Sequence, residues 1–162
     1  MHPLDVLKFG HLTVLHTLDQ FPTAEVYTPD VCGYWSTRDL VSHLGSFELV
    51  LEEVLAGFLQ PGMVTTPLRD EFIRDGQAFN DRQVDELRGN RAYEDVLGEY
   101  LDSHGRAMAL AAQVPAEGWR RPGAIPWYGD AYDLEDFIVY TYYAHKREHC
   151  GQISVFGDQH RG

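Results

Sequence analysis

Four long stretches of this chain repeat their apolar residues at intervals of three, four and seven, and no stretch reads convincingly as a β-strand. That pattern restricts the chain to helices that bury one stripe each against their neighbours. The first runs from Pro3 to about Phe21 through Leu4, Leu7, His11, Val14, Leu15 and Leu18, with Pro3 placed for a first turn. The second is announced by Ser36-Thr37-Arg38-Asp39, a capping box preceded by Trp35 as a hydrophobic staple. It continues through Leu40, His43, Leu44, Phe47, Val50, Leu51, Val54, Leu55 and Phe58 until Gln60-Pro61-Gly62. Asn90 is the expected cap of the third, which carries Tyr93, Val96, Leu97, Tyr100, Leu101, His104 and Met108 as far as Val114-Pro115. Asp133-Leu134-Glu135-Asp136 opens the fourth, which includes Ile138, Tyr142, His145, His149, Gln152, Ile153 and Phe156.

Between the second and third stripes, residues 61–90 lack a strong period and are punctuated by Pro61, Gly62, Pro67, Gly76 and Gly89, with a short helix expected from Phe79-Asn80 to Leu87. A connection of that length can cross the end of a bundle, as a tight helical hairpin cannot. The expected fold is an all-α four-helix bundle with one long crossover between helices two and three. The 162 residues suit a single domain, 1–162.

A net charge of −12 argues against nucleic acid and anionic membranes as partners, because both select a positive surface. No apolar run reaches the ~18 residues of a membrane span, and Met1-His2-Pro3-Leu4-Asp5 lacks the order of a signal peptide. Cys32 and Cys150 form no metal-binding pair motif. A cytoplasmic protein with reduced thiols is expected, with a single distant disulfide left open.

The residues with chemistry to offer are histidines. His145 and His149 stand four apart, about 40° around a helix and roughly 6 Å along it, so both rings can address one object. His43 lies inside the second stripe and faces inward. Such residues are also found solvated or hydrogen-bonded in a core, and so is His104 at the edge of the third stripe. If the second and fourth helices are neighbours, His43, His145 and His149 converge. Three neutral imidazoles hold a divalent transition metal and leave positions open for substrate. Zinc, nickel, copper and ferrous iron all accept that set. His145-Lys146-Arg147-Glu148-His149 matches an inverted zincin string, but no later glutamate completes that site. Glu48, Tyr142 and Asn80 are candidates for supporting the ligands, and no catalytic residue is assigned. Arg120 and Arg121 are the best cations for an anionic group, or simply solvated arginines. The aromatic loop 116–132, with Trp119, Trp127 and Tyr128, either lids a pocket or plugs the bundle end.

Trp35-Ser36-x-x-Asp39-Leu40-Val41-x-His43-Leu44, then Phe79-Asn80, then His145-x-x-x-His149-x-Gly151-Gln152-Ile153 together resemble the DinB-like (damage-inducible) four-helix bundle superfamily, over nearly the whole chain. That superfamily includes thiol-dependent maleylpyruvate isomerases and bacillithiol transferases. The resemblance implies an up-down-down-up helix order and a metal triad of His43, His145 and His149, with zinc or nickel the expected ion. It also implies a low-molecular-weight thiol as a cofactor to be considered, and a homodimer. The expected function is a metal-dependent transferase or hydrolase acting on a small molecule. The alternatives are a sequestering protein for stress or self-resistance, and a bundle whose histidines are structural remnants. Off-stripe Val41, Leu49, Val139 and Tyr140 are the expected dimer contacts. Because imidazole binds metal only when neutral, metal should leave as pH falls from roughly 7 toward 5.

Overall fold

The computed structural model describes residues 1–161. Helix α1 spans Pro3–Gln20, and the Leu4 amide donates to the His2 ring at 3.2 Å. Helix α2 spans Thr37–Leu59 and starts as the sequence indicates. The Ser36 hydroxyl accepts from the Asp39 amide (3.2 Å), and the Asp39 carboxylate accepts from the Ser36 amide (2.9 Å). Trp35 is buried in the same cluster as Leu40, four residues into the helix, as a staple should be.

The crossover holds α3 (Pro67–Asp75) and α4 (Gln77–Asp81), with a π-helical stretch from Arg82 to Glu86. Gly76 joins the two helices at φ 53°, ψ −119°, a conformation costly for any side chain. Helix α5 spans Tyr93–Ala111. Its cap is Ala92 rather than Asn90, which lies too far back in the chain, and the Tyr93 amide donates instead to the Tyr27 hydroxyl at 2.9 Å.

The fourth rod is α6 (Leu134–Ile138), a π-helical stretch (Val139–Ala144) and α7 (His145–His160) in unbroken succession. Asp133 and Asp136 form its capping box. The wider π turn resets which residues face inward just before His145. Lys146, His149, Cys150 and Ile153 then all fall on the buried side.

Gly45 packs on Tyr100, Glu48 meets His104, and Glu52 bonds Arg106, so α2 and α5 lie side by side in the same direction. Gly10 packs on Tyr143 and Phe21 on Phe156, so α1 and the fourth rod also run alike. The glycines at the two contacts let helix backbones approach where a larger residue would hold them apart.

Among the described residues there is no strand, and Cys32 and Cys150 are both free thiols, so no disulfide joins them. No described helix is long and apolar enough to cross a membrane. Trp119 is buried and Trp127 and Tyr128 pack edge-on against Phe137, so the aromatic loop plugs the core rather than lidding a pocket. Val41 is 1% exposed among Val14, Leu44 and Tyr100, which removes it from any dimer surface.

Candidate metal centre

Helix α2 carries His43 inward because its stripe is apolar on both sides of it. Helix α7 carries His145 and His149 one turn apart. The Nε2 atoms of His43 and His145 lie 3.0 Å apart, and those of His149 and His145 2.9 Å apart. All three ligand atoms fall within 4.8 Å of one another.

An imidazole Nε2 has one in-plane position, filled by either a proton or a lone pair. His145 Nε2 faces two such neighbours and cannot satisfy both with one hydrogen. A cation where the three nitrogens meet satisfies all of them. The outer face of His149 points the same way: its Nδ1–H donates to Gln152 Oε1 at 2.8 Å, which leaves the lone pair on Nε2. The donor set fits a divalent transition ion, and three neutral ligands leave room in its coordination sphere for another molecule.

Electrostatics keep the three rings neutral. Burial first, then the neighbouring His145 and His149, hold His43 well below the usual histidine range. Burial, then His149 and Lys146, lower His145 to about 3 against an opposing pull from the Thr141 carbonyl. Burial lowers His149 as well, with Gln152 and Glu148 acting in the other direction. His43 Nδ1 is buried without a partner. Of the three histidines, it is the one whose outer nitrogen has no described partner, whereas His145 has the Thr141 carbonyl and His149 has Gln152.

The triad opens into a cleft of about 360 Å³. Trp35 and Phe47 wall His43, with ring centroids 5.1 and 4.6 Å from it. Cys32, Gln77, Asn80, Asp81 and Glu148 line the mouth. Asn80 therefore lies at the cleft. Glu48 and His104 do not, since they bond each other at 3.2 Å deep in the bundle, and Tyr142 spends its hydroxyl on the Phe47 carbonyl at 2.8 Å. Arg120 is exposed and lies beside Glu135 and Asp133, while Arg121 lies over Phe58. Neither reaches the cleft. Gln152 and Trp35 were readable as members of apolar stripes and caps, but their places at the site required the fold. Gln77 and Asp81 gave no local signal, and Glu148 stood out only as the glutamate of the inverted zincin string, a reading that does not place it at the mouth of this cleft.

An all-helical bundle that aims three neutral imidazoles into one open cleft defines a class of candidate metal-site proteins. The family model for the mycothiol maleylpyruvate isomerase N-terminal domain matches residues 13–134, and the chain belongs to that family, a DinB-like one. The match includes His43 and stops before His145 and His149, so the geometry, not the match, brings the latter two to the site. Comparison with curated proteins and with solved structures gives no match.

Proposed function

We propose that this protein is a metal-dependent enzyme that transfers a low-molecular-weight thiol to, or hydrolyses or isomerises, a small molecule in the cleft beside His43, His145 and His149. The observation that carries this reading is the pair of Nε2–Nε2 contacts at 3.0 and 2.9 Å at the base of an open cleft. The family adds the thiol, since its description names mycothiol. Zinc and nickel are the proposed ions.

A divalent ion supplies Lewis acidity there, making a thiol or water acidic enough to act as a nucleophile near neutral pH. The chain's own residues do the rest. His43, His145 and His149 present lone pairs, and Gln152 fixes the ring of His149. Trp35 and Phe47 exclude water from one side, which strengthens every electrostatic contact at that wall.

Metal analysis of freshly purified protein tests the centre. One zinc or nickel per chain, lost in His149→Ala, is the expected result. A panel of thiols with electrophilic acceptors then tests turnover, and metal-loaded protein inert with every thiol and in hydrolysis would refute the enzymatic part. We also propose a homodimer. Phe9, Leu12 and Tyr140, at 53%, 44% and 60% exposure, are the apolar residues it would cover. A monomer by sedimentation at micromolar concentration would refute that.

A further inference from the structure

The charge and hydrogen-bonding capacity of the cleft select among molecules that could sit beside the triad. Two carboxylates, Asp81 and Glu148, line it, and among the described lining residues there is no lysine or arginine. Glu148 directly precedes His149 in the chain and is exposed at the mouth of the cleft. The arginines nearest in sequence to the site residues do not line the cleft. Arg82 is held by Glu71 and Asp75, Arg38 by Asp39 and the Arg91 carbonyl, and Arg147 lies over Tyr143.

The hydrogen-bonding groups of the lining can be followed one by one. Gln77 spends an amide N–H on Asp81 (2.9 Å), and Asn80 turns its own toward Gln77 (3.4 Å). That leaves Asn80 Oδ1 buried with no partner. With it remain the second oxygen of Asp81 and both oxygens of Glu148. Against these acceptors stand the indole N–H of Trp35, buried and without a partner, and the second amide hydrogens of Gln77 and Asn80. A buried polar atom left unpaired is costly, so a ligand that supplies a hydrogen to Asn80 Oδ1 is favoured, while the carboxylates of half-buried Asp81 and exposed Glu148 repel one that brings further negative oxygens. A divalent ion on three neutral imidazoles carries its full charge, and the two carboxylates offset it. A dicarboxylate would therefore meet a cleft with little net positive charge and two carboxylates of its own sign.

We propose that the molecule seated beside the triad is uncharged or cationic and rich in N–H or O–H donors, and that the cleft turns dicarboxylates away. The choice of this cleft rests on the proposed function. The preference itself comes from Asp81, Glu148 and Asn80 and holds with or without the ion.

Maleate and its diamide test the idea, because they share a skeleton and differ in charge and donors. Titrations followed by calorimetry at fixed ionic strength should show maleamide binding the protein about tenfold or more tightly than maleate. Chelating the metal should widen that gap, because a positive charge is lost. The Asp81→Asn, Glu148→Gln double variant should narrow it to about threefold. Maleate binding as well as maleamide in either metal state would overturn the proposal. So would a gap unchanged in the double variant, or saturable binding of neither probe. Metal content measured on the same samples separates the two readings. Protein without metal that still prefers maleamide defeats the metal centre alone, and metal-loaded protein that prefers maleate defeats the selectivity alone.

Discussion

The Lys146 ammonium pairs with the Glu48 carboxylate at the centre of the bundle, one position beyond His145, and the two residues are 2% and 0% exposed. Glu48 also accepts from His104 at 3.2 Å, and His104 stacks on His11 with centroids 3.8 Å apart. All four long rods thus contribute to one buried polar cluster. Removing one partner leaves a buried charge uncompensated. Glu48→Ala should cost about 3–5 kcal/mol in urea unfolding. A Glu48→Leu, Lys146→Met double variant, which removes both charges, should recover most of that loss. If the double variant is as unstable as the single one, the pair is not what the cluster depends on.

The same cluster sets how the fold responds to acid. Burial pushes the Glu48 carboxyl upward, but Lys146 and His104 overrule it and hold it at about 2. An acid depressed in this way stabilises the fold above its ordinary value of 4.5, and the contribution fades as pH falls toward 2. His11 is a base lowered to about 4, by burial first and then by His104 and Lys146. The unfolded chain therefore takes that proton first, and stability is lost as pH falls from 6.5 toward 4. Melting temperatures of His11→Leu between pH 7 and 3 should decline less in the upper window and unchanged in the lower. A decline identical to wild type in both would refute the assignment.

Gln152 bonds the outer nitrogen of His149 at 2.8 Å and should matter to the metal more than to the fold. Gln152→Leu should weaken zinc or nickel affinity roughly 10–100-fold by competition with a chelating dye. Its urea midpoint without metal should stay near wild type, because Gln152 is half-buried and makes no other described contact of this kind.

Two glycines should respond in opposite ways to alanine. A Cβ on Gly89 would lie 2.3 Å from the Asp85 carbonyl oxygen, a backbone atom that cannot swing aside. Gly89→Ala should cost at least about 2 kcal/mol. Gly105, exposed within α5, has nothing within 4 Å of its Cβ position. Gly105→Ala should stabilise the protein by about 1 kcal/mol through helix propensity alone. Thermal unfolding of the pair checks both signs.

The helices were legible because apolar spacing and capping boxes are local. Ser36 with Asp39, and Asp133 with Asp136, each close a helix start within four residues. The inward faces of His43, His145 and His149 followed from the same stripes. What sequence could not give is whatever depends on two helices meeting. Lys146 reads as a solvated charge between two histidines until Glu48 of another helix stands opposite it. The π turn before His145 has no composition of its own, yet it decides that Lys146 points inward. Asn90 has the chemistry of a cap and misses the helix start because the turn before it places Ala92 there.

The retention of metal against acid is where the fold most changes an expectation drawn from free histidine. An exposed imidazole with an ordinary pKa near 6.5 would yield its metal between pH 7 and 5. Here burial lowers all three rings, His145 to about 3, so protons compete with the ion only at more acid pH. The metal should stay bound at pH 5.5 and leave only where the fold itself begins to fail. Metal that binds the folded chain alone also raises its melting temperature by mass action. The difference in melting temperature between metal-loaded and chelator-treated protein should therefore persist from pH 7 to 5.5. His149→Ala, which removes one of the three proposed ligands and leaves the apolar stripes intact, should abolish that difference at both pH values. Metal content measured after dialysis across the same range gives the second readout. Half of the metal released above pH 6 while the protein remains folded would show that the buried rings take up protons as readily as free histidine, and would defeat the prediction.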